Sequence, residues 1–213
     1  MPLKAVFLDC DGTLTTVKSS WEYLHRRLGL WDNHADEFQR LFREGAIDYH
    51  EFCRRDALLW KGMPLASVMA VIDEIPYHEG ARELAGWLAS EGILSIILST
   101  GLSFLVERVR KELGITSALS NELLVRDGIL TGEIAIHIDY DQKGSQVQEI
   151  LERMGMTRDE AAAIGDGEGD KGMFESVDLS IGYHPHAGVL HALDYAAYND
   201  SLSGVVNILR RHR

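Results

Sequence analysis

Cysteine is scarce in this chain, two residues in 213, and that scarcity excludes a disulfide-stapled architecture. Cys10 lies inside an acid-rich stretch, a poor place for a crosslink, so Cys10 and Cys53 read as free thiols of a reducing compartment. Positive charge is also short: 21 Lys and Arg against 33 Asp and Glu leave a formal net charge of −12. Binding to a nucleic-acid backbone relies on neutralising phosphates with Lys and Arg, so the balance argues against such a partner. Phosphate can still be bound locally where a cation and a few amides are supplied. No apolar run approaches the roughly 20 residues needed to span a bilayer. Met1-Pro2-Leu3-Lys4 leads straight into an apolar strand instead of a signal peptide. The expectation is a soluble, cytoplasmic protein with no nucleic-acid or membrane partner. Its oligomeric state cannot be read.

What is present is an ordinary globular composition, 46% hydrophobic and 25% charged, long enough for one large domain or two small ones. The most informative stretch is Val6-Phe7-Leu8-Asp9-Cys10-Asp11-Gly12-Thr13-Leu14. Ala5 to Leu8 is an apolar run too short for a helix and reads as a buried strand. It stops in two carboxylates one residue apart. A strand end followed by a loop is where an α/β sheet places its ligands. Two acids there repel one another unless a cation or a shared proton lies between them. The alternative at this point is a solvated Asp-x-Asp-Gly turn.

Residues 15–76 contain little that reads as strand. Ser19 or Ser20 caps a helix carrying Trp21, Leu24 and Leu28, and a second helix holds Phe38, Leu41 and Phe42. A third runs from Asp48 to Trp60, and Pro64 opens a fourth. Strand-helix alternation then begins. Ala81–Ser90 is an amphipathic helix, Ile93–Leu98 a strand buried on both faces, Phe104–Leu113 a helix, and Asp127-Gly128 the turn of a hairpin. Lys143–Met154 is a helix, Ala161–Ile164 and Leu179–Gly182 are short strands, and helices are expected over Gly188–Tyr195 and from Gly204. The alternation predicts a doubly wound α/β fold, a parallel sheet with helices on both faces. The expected division is a core of residues 1–14 and 77–213, with 15–76 as a helical cap inserted after the first strand.

Three later points carry polar groups able to join Asp9 and Asp11: Ser99-Thr100-Gly101 after an apolar strand, Lys143 at a helix start, and Gly165-Asp166-Gly167-Glu168-Gly169-Asp170. Taken singly, Ser99 reads as a helix cap, Lys143 as a solvated lysine and Asp166 as a turn residue. Taken together they supply what phosphoryl transfer needs. A carboxylate attacks phosphorus and a second protonates the leaving oxygen. A divalent cation such as Mg²⁺ offsets anionic repulsion, and hydroxyl, amine and amide groups hold the phosphate oxygens.

The order and spacing of these segments resemble the haloacid dehalogenase superfamily, and within it the phosphoserine-phosphatase-like branch. Asp9-Cys10-Asp11-Gly12-Thr13 matches the first motif, Ser99 the second, Lys143 the third, and Gly165-Asp166 with Asp170 the fourth. The resemblance implies a Mg²⁺-dependent phosphatase of a small phosphorylated metabolite, with Asp9 as nucleophile forming an aspartyl-phosphate and Asp11 as general acid/base. It implies Asp9, Asp11 and Asp166 on the metal, the last of these with Asp9 through its carboxylate and Asp11 through its carbonyl. Gly12, Ser99, Thr100, Gly101 and Lys143 would lie on the phosphoryl group, with Asp170 in support. A phosphotransferase or mutase of the same superfamily, or a non-catalytic phosphate-binding module, is the alternative.

Two departures from the branch stand out. Gly169 replaces an expected Asn, whose polar contact is then missing or supplied by Glu168. Lys18 stands where a substrate-binding Glu is expected. A lysine there repels an ammonium and suits a substrate with a second anionic group. Arg55, or its neighbour Arg54, is the candidate for a substrate carboxylate, and Trp21, Trp31 and Trp60 read as cap core.

Overall fold

The structure, a computed structural model, describes residues 3–31 and 34–212. Met1, Pro2, Asp32, Asn33 and Arg213, which fall within the expected segments, lie outside the described residues. Seven strands form one sheet: β1 (Ala5–Leu8), β2 (Leu94–Leu102), β3 (Ser117–Arg126), β4 (Ile129–Ala135), β5 (Ala161–Gly165), β6 (Leu179–Tyr183) and β7 (Tyr195–Ala197). Their order is β4-β3-β2-β1-β5-β6-β7, parallel throughout except for β4, which runs antiparallel to β3.

All four residues of β1 are buried, and the period-2 rule assigns them to opposite faces. Val6 and Leu8 join the apolar cluster that includes residues of helices α5 (Ala81–Ser90), α6 (Ser103–Leu113) and α9 (Ser203–Arg211). Ala5 and Phe7 join the cluster that includes residues of α7 (Lys143–Met154) and α8 (Lys171–Glu175). A central strand covered on both sides has to be apolar at every position, which is why its sequence is a continuous run instead of an alternation.

Between β1 and α5 stand four helices, α1 (Ser20–Arg27), α2 (Ala35–Arg43), α3 (Tyr49–Leu59) and α4 (Leu65–Asp73). Ser19 caps α1 by accepting from the Glu22 amide, and Asp48 caps α3 by accepting from Glu51 at 2.7 Å. Trp60 is fully buried and stacks on Trp21 at 5.4 Å. This helical segment is tied to the sheet by backbone pairing. The Gly62 and Leu65 amides donate to Leu130 and Gly128, and the Leu130 amide donates back to Met63. Arg108 of α6 donates to the Ile72 carbonyl in the last turn of α4 and to the Ile75 carbonyl just beyond it, capping that end of the helix.

Three elements differ from the sequence reading. β2 continues through Ser99-Thr100-Gly101 to Leu102 instead of stopping at Leu98. β3 begins at Ser117, before the expected hairpin, because its first half pairs with β2 and only its second half with β4. The helix expected over Gly188–Tyr195 is a 3₁₀ turn at Ala187–Ala192 followed by β7. Asp194 accepts from both the amide and the hydroxyl of Ser180 at 2.8 Å, and this holds the segment extended against β6. No described helix is long and apolar enough to cross a membrane.

Candidate active site

Chain order in the sheet reverses at β1: β2, β3 and β4 lie to one side, β5, β6 and β7 to the other. A crevice forms beyond the carboxyl ends of strands at such a switch point. Asp9 follows the last residue of β1 and Asp166 the last residue of β5, its parallel neighbour. Ser99 lies in the distal half of β2, on the other side of β1. Asp9, Asp11, Ser99, Thr100, Gly101, Lys143, Asp166 and Asp170 line one cavity of about 260 Å³.

Lys143 is at its centre. Its Nζ donates to Asp9 Oδ1 and to Asp170 Oδ1, each at 2.6 Å, and the residue is 2% exposed. Burial works against its charge, but Asp170 and Asp9 outweigh that and hold the ammonium protonated, its pKa raised. Asp170 is the most committed acid: beyond Lys143, its Oδ2 accepts the amides of Asp166 and Gly167, both at 2.9 Å. A Cβ at Gly165 would come within 2.5 Å of that oxygen, so the close approach needs glycine. Gly12, at φ +81°, likewise lets the loop after β1 lie against Asp166, which a Cβ there would strike at 2.6 Å.

Asp9 is held well above the usual carboxylate range, first by burial, then by the charge of Asp170, with Lys143 pulling the other way. Burial also raises Asp11, against hydrogen bonds from Ser20. Asp11 Oδ2 accepts the Ser20 amide at 2.6 Å, while its Oδ1 is buried with no partner. A carboxyl group with one free, buried oxygen and a raised pKa is suited to giving and taking a proton. Oxygens of Asp9, Asp166 and Asp170 lie within 4.8 Å of one another. The cluster Asp9, Asp11, Asp166 and Asp170 has two more carboxylates than the ammonium groups of Lys18 and Lys143 offset. An all-oxygen set with that excess fits a hard divalent cation. Compared with Asp170, Asp9 and Asp166 have the freer oxygens: among the described residues the Asp166 carboxylate is engaged by Thr13 Oγ1 at 3.3 Å and by Lys18.

Several expected residues have other positions or partners. Arg55 is not at the cavity: its Nε pairs with Glu51 one turn earlier at 2.6 Å and its guanidinium lies over Phe38. Arg54 also pairs with Glu51 and lines a separate groove toward β4. Lys18 lines the cavity, but its Nζ lies 2.6 Å from Asp166 Oδ2. Glu168 sits 3.5 Å from His186 instead of joining the acid cluster, and a Cβ at Gly169 would touch Tyr140 at 3.4 Å, an ordinary van der Waals contact. Ser99 caps no helix; its Oγ accepts the Gly101 amide at 3.0 Å. Thr100 contributes through its carbonyl, which accepts Trp21 Nε1 at 3.2 Å and the Tyr49 hydroxyl at 3.0 Å and so fastens α1 and α3 to β2. Trp21 is thus part of the cavity lining as well as of the helical core, while Trp60 is core alone. The far wall, Gln39, Phe42, Arg43, Tyr49 and Phe52, was not singled out as a site in the sequence; the only signal was a run of aromatic residues in α2 and α3.

The haloacid dehalogenase-like hydrolase family model matches residues 6–175 of this chain. A phosphoserine phosphatase of Archaeoglobus fulgidus is 29% identical over 208 residues, covering 97% of this chain and 60% of that protein. The chain therefore spans less than two thirds of that relative. A phosphoserine phosphatase of Methanocaldococcus jannaschii is 28% identical over 181 residues, covering 84% of this chain and 85% of its own. A solved structure described as a phospho-aspartyl intermediate analogue of phosphoserine phosphatase superposes with a TM-score of 0.85 over 98% of this chain and 99% of that one. At 24% identity it speaks for the fold alone. Fold, strand-end acids and family model agree: the chain belongs to the haloacid dehalogenase-like hydrolases, in their phosphoserine-phosphatase-like branch of phosphoric monoester hydrolases.

Proposed function

We propose that this chain hydrolyses a small phosphorylated metabolite with the help of Mg²⁺, through an aspartyl-phosphate formed on Asp9. The observation that carries the reading is the convergence of Asp9 and Asp166, from adjacent strand ends, on one cavity with a buried Lys143 whose ammonium lies 2.6 Å from the Asp9 carboxylate. Asp9 attacks phosphorus, and the ester oxygen leaves with a proton from Asp11. Water then attacks the aspartyl-phosphate, giving its proton to Asp11 and restoring Asp9. Lys143, Ser99 and the amides near Gly12 and Gly101 hold the phosphoryl oxygens, and Asp170 keeps Lys143 aligned. The Asp9 and Asp166 carboxylates and the Asp11 carbonyl would hold Mg²⁺, which would supply charge neutralisation between anionic nucleophile and anionic substrate. Residues 15–76 act as the cap over a core of 1–14 and 77–213, closing the cavity from bulk water. Two buried free thiols suit a reducing, cytoplasmic setting.

Purified protein with phenyl phosphate and Mg²⁺ is expected to release inorganic phosphate, and chelation with EDTA to stop the release. Inactivity on a broad panel of phosphomonoesters with Mg²⁺ present would contradict the reading. Phosphate appearing only when an alcohol acceptor is added would favour a transferase instead.

Lys18 bears on the metal directly. It is 61% exposed on its side chain and reaches back to Asp166, so it competes with a cation for that carboxylate. Lys18→Met is expected to tighten Mn²⁺ binding about fivefold, the size of a partly exposed ion pair. Calorimetry or Mn²⁺ electron paramagnetic resonance without substrate measures this, and unchanged or weaker binding contradicts it.

A further inference from the structure

The helical segment carries six arginines, and five of them are spent on one another's neighbours. Arg26 pairs with Glu22, Arg27 with Glu74, Arg40 with Glu44, and Arg54 and Arg55 with Glu51. Arg43 is the exception. It ends α2 exposed, has no ion-pair or hydrogen-bond partner among the described residues, and lines the cavity.

Gln39 aside, the wall around it is apolar or already satisfied. Phe42 stacks on Phe52 at 5.1 Å and meets the edge of Tyr140 at 5.3 Å. Trp21 Nε1 and the Tyr49 hydroxyl are both taken by the Thr100 carbonyl, and Asn121 Nδ2 donates to Tyr49 Oη at 2.8 Å. Every carboxylate lining the cavity comes from the core side, and α1, α2 and α3 contribute none. Glu168, the one cavity-lining carboxylate outside the Asp cluster among the described residues, is turned to His186. An ammonium on the substrate therefore finds no dedicated partner on the cap wall, whereas an anion finds a guanidinium.

Arg43 also belongs to the same electrostatic space as the phosphate end. Burial raises the Tyr140 hydroxyl first, Glu168 and Asp170 add to it, and both Lys143 and Arg43 pull it back. Tyr140, Lys143 and Arg43 all line the same cavity, with one cation at the phosphoryl end and one at the wall. A guanidinium presents a planar fork that matches a carboxylate or a phosphate with two parallel hydrogen bonds.

Resting on the phosphatase reading above, we propose that Arg43 selects the substrate, a small phosphomonoester whose body carries a second anionic group, a carboxylate or another phosphate, and no ammonium. The aromatic wall receives the carbon skeleton, and Arg43 takes the distal anion. Lys18, committed to Asp166, leaves this task to Arg43.

Steady-state kinetics with Mg²⁺ on four probes test this: phenyl phosphate, 3-phosphoglycerate, propane-1,3-diol bisphosphate and O-phosphoserine. Wild-type protein is expected to prefer 3-phosphoglycerate or the bisphosphate over O-phosphoserine by about tenfold in kcat/KM, and the better of the two identifies the anion. Arg43→Gln is expected to raise KM for that probe about tenfold with kcat within twofold, while phenyl phosphate is unaffected; Arg43→Lys recovers part of the loss. Equal losses on phenyl phosphate and the dianionic probes, or no loss on either, overturn the proposal while leaving the phosphatase reading intact. No turnover of any probe, phenyl phosphate included, takes down the phosphatase reading and this proposal with it.

Discussion

Asp9→Asn is expected to lower kcat for any phosphomonoester by about 10⁴-fold or more, a loss of roughly 5 kcal/mol of transition-state stabilisation. The carboxamide has the shape of the carboxylate but neither its charge nor its nucleophilicity, so no covalent intermediate forms. The fold is expected to survive. Asp9 is 6% exposed, and burial together with Asp170 and Asp166 pushes its pKa up. A carboxyl group whose folded pKa exceeds its unfolded one makes the native state less stable once the pH rises above the unfolded value. At neutral pH the neutral Asn removes that penalty, and Lys143 keeps Asp170 as its partner. Without added metal the melting temperature of Asp9→Asn is therefore expected to equal or exceed that of the wild type. Chymotrypsin-resistant, fully folded protein with no phosphate release is the expected pair of results. Residual activity within tenfold of wild type would show that another group attacks phosphorus.

The residues of this prediction were legible in the sequence because their signal is local. Four apolar residues, then Asp9, Asp11 and Gly12, describe a buried strand end and a tight turn on their own. Lys143 and Asp166 have no such local signal: singly they read as a solvated lysine and a turn residue, and only their order and spacing relative to Asp9 and Asp11 point to a shared site. What was not legible depends on how distant segments dock. The sequence places Phe42 on a second helix and no more, and its neighbour Arg43 becomes a cavity residue through the docking of that helix beside α1 and α3, which are fastened to the Thr100 carbonyl. Arg55 had the same side chain and a similar helical setting, yet Glu51 lies one turn before it and captures it locally. The Lys18 contact with Asp166 spans 148 positions, and no periodicity reports a contact of that kind. β7 was missed for a related reason. Gly188–Tyr195 reads as a helix, but the two Ser180 hydrogen bonds to Asp194 draw its end onto the sheet edge.

Asp170 is where stability and activity are joined, and its removal separates them by a clear test. Its carboxylate accepts three donors, the Lys143 ammonium at 2.6 Å and the amides of Asp166 and Gly167 at 2.9 Å. Asp170→Ala leaves two amides without an acceptor and Lys143 with a single counter-charge, in a site where Asp170 and Lys143 are each 2% exposed. An unsatisfied buried donor costs about 1–3 kcal/mol and a broken buried ion pair about 3–5 kcal/mol. These overlap, so a net destabilisation of about 3–5 kcal/mol is expected by urea unfolding, with activity down about 10³-fold. Asp170→Asn divides the two effects. Its carbonyl oxygen still accepts the Asp166 and Gly167 amides, so most of the stability returns. Its NH₂ group, however, points a donor at the Lys143 ammonium in place of an acceptor. The amine then has only Asp9 to hold it, and it is drawn onto the nucleophile instead of standing between two acids. A folded Asp170→Asn with activity still down at least 10²-fold is the expected outcome, and it identifies Asp170 as the residue that positions Lys143. Recovery of activity along with stability would reduce Asp170 to a structural acceptor for the loop after β5.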